Sequence, residues 1–149
     1  MAPMGFPISL ITTIRALVRA YQAFEARSAE HVRSLGLTPP QFDVIATLGN
    51  TSGMTPTQLT QKTLITKGTL TGVVDRLAAK GLVIRTANEA DGRSQRVMLT
   101  KKGARLFRIV FPAHLAYMER FLAEYSARDH AQIQAMLERL RGAFAKETP

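Results

Sequence analysis

The sequence predicts a mainly α-helical fold carrying one small β-hairpin, and three local observations predict it. First, residues 55–63 begin as a helix should: Thr55 is a cap, Pro56 suits the first helical position, and Gln58 completes a capping box. Second, residues 66–81 form a longer helical run only a few residues later, with Thr66 as a cap candidate and Gly81 where helices commonly stop. Third, short strands near Leu82–Ala87 and Gln95–Leu99 flank Asp91-Gly92, a strong hairpin-turn signal. Helix, tight turn, helix, strand, turn, strand is the order of a winged helix-turn-helix.

The remaining elements follow from periodicity and caps. Residues 1–7, with Pro3 and Pro7, read as a frayed tail. From Ile8 to about Leu35, the residues Ile11, Ile14, Leu17, Val18, Tyr21 and Phe24 recur at helical spacing, and Gly36 stops the run. Thr38 caps the next helix with Gln41 three residues on; Phe42, Ile45 and Ala46 form its inner face and Gly49 ends it. Thr100 starts a long helix running towards Tyr125, and Pro112 inside it predicts a kink or break just before that residue. Ser126 with Asp129 resembles another capping box, opening a last helix that carries Ile133, Met136, Leu137, Leu140 and Phe144.

The 149 residues read as a single domain, 1–149. Within it, 36–100 is the winged helix-turn-helix, and 8–35 and 101–147 are flanking helices. Part of each flanking face must pack on the winged unit. The apolar surplus that remains needs a second surface, and two copies of the chain would cover each other in a two-fold dimer.

The placement of charge points to a partner. The net charge is +9, and seven of those charges fall between Thr55 and Arg105, where ten basic residues stand against three acidic ones. The segment with the second helix and the wing is therefore the basic one, as nucleic-acid binding requires. A membrane-surface helix would need these cations on one long helix opposite a broad apolar face, and they are spread over several elements.

The second helix divides its labour. At 100° per residue, Leu70, Val73, Val74 and Leu77 share an inward face. The opposite face carries Gly68, Gly72, Asp75, Arg76 and Ala79, with Thr69 and Thr71 on its shoulders. Two glycines cost roughly 1 kcal/mol each against alanine in a helix. Close backbone approach to a DNA groove accounts for them, as does tight packing against another helix. Asp75 sits badly near phosphates, so an arginine or lysine partner is expected for it. Arg93 and Arg96 lie near the hairpin tip and suit phosphate oxygens or a narrow minor groove. The candidate DNA-binding residues are Thr55, Thr57, Thr66, Lys67, Gly68, Thr69, Thr71, Gly72, Arg76, Arg85, Arg93 and Arg96.

Residues 35–105 resemble the DNA-binding part of the MarR family of winged helix-turn-helix regulators. The matching pieces are Leu37-Thr38-Pro39-Pro40-Gln41-Phe42, then Gly72-Val73-Val74-Asp75-Arg76-Leu77 with Lys80-Gly81-Leu82-Val83, then Asp91-Gly92-Arg93-Ser94-Gln95-Arg96, then Leu99-Thr100-Lys101-Lys102-Gly103. Each is weak alone; four in the family's order make a specific match. The resemblance implies a homodimer that binds a pseudo-palindromic operator on double-stranded DNA as a repressor and releases it on binding a small organic effector. It also implies an effector pocket between the flanking helices and the winged unit. Arg15, Arg19, His31, Phe42 and Phe107 are candidates for lining one apolar cleft with a cationic edge, suited to an aromatic carboxylate or acyl thioester.

Other chemistries lack residues to rest on. The three histidines show neither an HExxH motif nor a pair at i, i+4, and there is no phosphate loop or nucleophile elbow, so neither an enzyme nor a metal site is expected. No cysteine is present, which excludes disulfides and thiolate metal sites. No apolar run approaches the ~18 residues of a membrane span, and the N-terminus lacks the pattern of a signal peptide, so no membrane partner and a cytoplasmic location are expected. Two alternatives to a sequence-specific regulator remain. A nonspecific DNA-architectural protein would carry apolar wedges at the wing tip, whereas Asn88-Glu89-Ala90-Asp91-Gly92 is polar and partly acidic. A winged-helix protein-interaction module would present an apolar or acidic recognition face.

Overall fold

The computed structural model describes residues 7–88 and 91–146, with backbone alone for 88 and 91–94. The chain forms two compact units, Met1–Leu115 and Ala116–Pro149. Six helices and one hairpin run in the order α1 (Ile8–Ser34), α2 (Pro39–Leu48), α3 (Pro56–Lys62), α4 (Lys67–Ala79), β1 (Val83–Asn88), β2 (Asp91–Leu99), α5 (Lys101–Glu119) and α6 (Ala127–Ala145). α5 crosses the boundary between the units.

Local chemistry sets most helix starts. Thr38 and Thr55 each accept from the backbone N–H three residues on, while Gln41 and Gln58 accept from the cap N–H in return. Ser126 and Asp129 do the same for α6. Thr66 stands at the N-cap of α4 but makes no capping bond; its hydroxyl donates to Thr69 Oγ1 at 3.2 Å instead. α4 stops at Lys80, and Gly81 takes the left-handed φ of +73° that a side chain would resist.

The core of the first unit lies around α4. Leu70, Val73, Val74 and Leu77 are all buried against Val44, Ile45 and Leu48 of α2, Leu59 of α3, and Val83 and Val97 of the hairpin. Each such side chain contributes roughly 1.5–3 kcal/mol by leaving water. The hairpin gains a third edge the sequence does not advertise. Met54 bridges Val97 through two backbone bonds of 2.9 and 2.7 Å, which ties the wing to the segment before α3.

Three expectations need correction. β2 starts at Asp91, which pairs with Asn88 across a register shift at Ala87/Asn88, so Asp91 and Gly92 are strand residues rather than the turn. Across this shift the pairing steps from Ala87↔Gln95 to Asn88↔Asp91, so β2 runs three residues longer than β1 there; residues 89 and 90 lie outside those described. α5 is not broken at Pro112. That residue is exposed, so water can satisfy the Arg108 carbonyl that the proline cannot. α5 also ends at Glu119, short of Tyr125. The predicted N-terminal tail falls on residues of which only Pro7 is described.

Thr100 joins the end of α4 to the start of α5. Its hydroxyl donates to the Gly81 carbonyl at 2.6 Å and accepts from Gly103 N–H at 3.0 Å, while its own N–H reaches the Leu82 carbonyl. Gly103 is packed so closely on the Leu82 carbonyl that a Cβ there would overlap it. Backbone cannot give way as a side chain tip can. Gly103→Ala is therefore expected to cost about 1–3 kcal/mol and lower Tm by several degrees. Melting followed by circular dichroism checks this, and a parental Tm would refute the close packing.

Candidate nucleic-acid interface

The inward face of α4 determines what its other face presents. Thr66, Lys67, Gly68, Thr69, Thr71 and Arg76 are exposed and Gly72 is half-buried. Among the described residues the two glycines have no packing reason. A Cβ at Gly68 would meet nothing within 4 Å, and one at Gly72 would meet only the guanidinium end of Arg76, 3.6 Å away. Of the two accounts of these glycines, tight packing against another helix of this chain is thus excluded for the described residues. Close approach of an external body remains.

Charge surrounds this face. Asp75 finds its cationic partner in Arg85 of β1, at 2.6 Å. The bridge neutralises the one acid on α4 and gives one nitrogen of Arg85 to the fold, so Arg85 meets a partner with only its remaining donors. Arg96 is half-buried beside Gly53, and its Nε is buried without a hydrogen-bond partner among the described residues. Thr57 is exposed, whereas Thr55 is half-buried and holds the cap of α3. The Arg93 side chain lies outside the described residues.

The turn between α3 and α4 is held from below by a residue that sequence reasoning passed over. Asp43 of α2 accepts from Leu64 N–H at 3.2 Å. Burial pushes its carboxyl above the usual range, and the Leu64 bond only partly offsets this. No local pattern marks it, because its partner is 21 residues away.

The candidate effector residues are only partly brought together. His31 and Phe42 meet around His114 of α5. His31 Nδ1 and His114 Nδ1 lie 3.0 Å apart, Ser28 Oγ is 3.1 Å from His114 Nε2, and the Phe42 ring stands edge-on to His114 at 4.7 Å. Phe107 packs in the core against Gly49 and Phe111. Arg15 and Arg19 are exposed and lie roughly 24 and 18 Å along α1 from His31 at 1.5 Å per residue. They share no cleft with it in one chain. Among the described residues no group of three or more metal-ligating side chains converges, and no helix is long and apolar enough to cross a membrane.

The MarR family profile matches residues 35–94, the helix-turn-helix and much of the wing. The chain is 32% identical over 131 residues to the HTH-type transcriptional regulator MhqR of Bacillus subtilis, with 88% of this chain and 90% of that protein aligned. The protein belongs to the MarR family. Two solved structures of DNA-binding proteins share its fold. A mutant of MarR from Escherichia coli complexed with operator DNA superposes with a TM-score of 0.76 at 25% identity, over 89% of this chain and 95% of that one. BpsR of Bordetella bronchiseptica, whose DNA binding is regulated by 6-hydroxynicotinic acid, superposes with a TM-score of 0.75 at 25% identity, over 87% and 98%. In this MarR-family chain, α4 is the second helix of the helix-turn-helix and β1–β2 is the wing.

Two outcomes follow from this geometry. Because Gly68 faces open space, Gly68→Ala should raise stability by up to about 1 kcal/mol in urea unfolding; a loss would mean hidden packing at that site. His31 Nδ1 and His114 Nδ1 are in hydrogen-bond contact, and burial, with the His31 ring beside it, holds the His114 imidazole below its usual 6.5. The folded state thus takes up the proton that charges His114 less readily than the unfolded chain does. Stability should be complete above pH 6.5 and fall as pH drops through that value, by at most about 1.4 kcal/mol per unit for one proton. His114→Gln should flatten that part of the urea-unfolding pH profile, and an unchanged profile would show that other groups set it.

Proposed function

We propose that this MarR-family protein is a homodimeric repressor that binds a pseudo-palindromic operator and is released by a small organic acid. The observation that carries the DNA reading is the outer face of α4: small, polar, open above Gly68, and set within the basic part of the chain. Such a face lets the helix backbone approach a major groove while threonine methyls meet thymine methyls. The wing cations add phosphate or minor-groove contacts beside it. The operator complex of the related Escherichia coli MarR supports this use of the fold.

Dimerisation is supported by apolar stripes exposed in the single chain. On α1, Ile11, Ile14, Val18, Tyr21 and Phe24 are each at least 40% exposed, and on α6 so are Ile133, Met136, Leu137 and Phe144. Stripes of this size at helical spacing gain by meeting a second copy. Two recognition helices held about 10 bp apart would then read successive grooves. The acid class of effector is supported by BpsR and its hydroxynicotinic acid. A ligand that favours a mismatched spacing about 100-fold supplies roughly 2.7 kcal/mol towards release. Action on DNA supports a cytoplasmic location.

A titration against the DNA upstream of its own gene, with nonspecific competitor and varied salt, tests the reading. The parent should bind specifically as a dimer by sedimentation. Arg93→Ala should weaken binding by about 1 kcal/mol or more and lower the salt slope by roughly one counterion per half-site. Gly68→Ala should weaken operator binding although it stabilises the chain. Binding to DNA of any sequence that the nonspecific competitor abolishes would favour an architectural protein instead.

A further inference from the structure

An open cleft of about 480 Å³ lies within the first unit, on a different side of α5 from the His31–His114 contact. Its apolar floor is built from three separate elements: Leu37 just before α2, Leu82 just after α4, and Leu106 on α5. Ile109, 66% exposed, extends that floor at one end. Its rim carries Lys80, Lys102 and Arg105, and no carboxylate lines it. Taking Lys102 as the origin, Leu106 and Ile109 fall within about 40° of it around α5, whereas Phe107, Val110 and His114 fall about 80–140° away. The cleft is therefore separate from the surroundings of His31 and Phe42.

The charges are arranged, not merely numerous. Lys102 Nζ donates to the Lys80 carbonyl at 2.8 Å, which fixes its ammonium at the rim and leaves two donors for a guest. All three cations are exposed, and among the described residues none has a carboxylate within ion-pair distance. Their mutual repulsion is relieved by one anion placed among them. A phosphodiester backbone answers the charges but has nothing to lay on Leu37, Leu82, Leu106 and Ile109. A molecule with an anionic head and an aliphatic body answers both.

We propose that this cleft binds an aliphatic carboxylate, its head held by Lys80, Lys102 and Arg105 and its chain along the leucine floor towards Ile109. The volume lies in the usual range of small-molecule sites, roughly 300–1,000 Å³. Bound there, the head group ties the C-terminal end of α4 to the first turns of α5. The ligand thereby acts on the helix that faces DNA. Only this last consequence rests on the proposed function; binding itself does not.

The test uses the full chain and decanoate below its micellar concentration, in calorimetric titration at low salt, with operator titration run in parallel. Decanoate should bind saturably at one molecule per chain, and decanol should not displace it. Exchange of both exposed cations, Lys80→Glu with Arg105→Glu, should weaken decanoate at least tenfold without lowering Tm. Ile109→Asp should weaken it as well. Unchanged affinity in the double variant, or equal binding of decanol, overturns the proposal. So does binding lost through Val18→Asp on α1 rather than through these residues, since decanoate would then be coating the apolar stripe. Should decanoate bind as described while no operator preference is found, the site stands and the repressor reading fails. Specific operator binding with no decanoate heat overturns the site and leaves the repressor reading standing.

Discussion

The rotational setting of α4 is the constraint on which the rest depends. Leu77 is fully buried, and Leu70, Val73 and Val74 nearly so, between α2, α3 and the hairpin. Turning the helix by one residue, 100°, would lift some of these side chains into water and drive Gly72, Arg76 or Thr69 towards the core. At roughly 1.5–3 kcal/mol per aliphatic side chain, that alternative is out of reach for a fold of ordinary stability. The outer face of α4 is therefore fixed by what its inner face must do.

The ends of α4 are held by polar contacts that leave that face clear. Below its N-terminus, Asp43 accepts from Leu64 in the preceding turn. At its C-terminus, Thr100 bonds Gly81 and Gly103, and Lys102 bonds Lys80. On its flank, Asp75 and Arg85 tie the helix to the wing. All of these contacts lie beside or beneath the helix, so the surface over Gly68 stays open. Rigidity and accessibility coexist because the supporting bonds and the presented face belong to different sides of one helix.

The flanking helices obey the opposite logic. α1 buries only Ala29 and Val32, and α6 has no buried residue among those described, yet both carry large apolar side chains at helical spacing. A basic, locally complete winged unit and apolar helices with exposed stripes are what the proposed dimer rests on. The histidine contact between α1 and α5 adds a titrating group within this region.

Sequence alone determined what depends on near neighbours. The capping boxes at Thr38, Thr55 and Ser126 close over three residues, and the inward face of α4 follows from a 3.6-residue period, so both were legible. The need of Asp75 for a cation was legible too, because a lone acid on a basic face is unfavourable, although its partner is ten residues away. The turn was misplaced because strand register is decided across the pair, where the bulge at Ala87/Asn88 outweighs the local preference of Asp91-Gly92. Pro112 continues its helix because it faces solvent, which local propensity does not reveal. His31 and His114 are 83 residues apart, Met54 and Val97 likewise distant, and only packing brings them together. The glycines of α4 mark the division most clearly. Their cost was readable in one dimension, but whether another helix filled the space above them was a question of volume, and volume exists only in the folded chain.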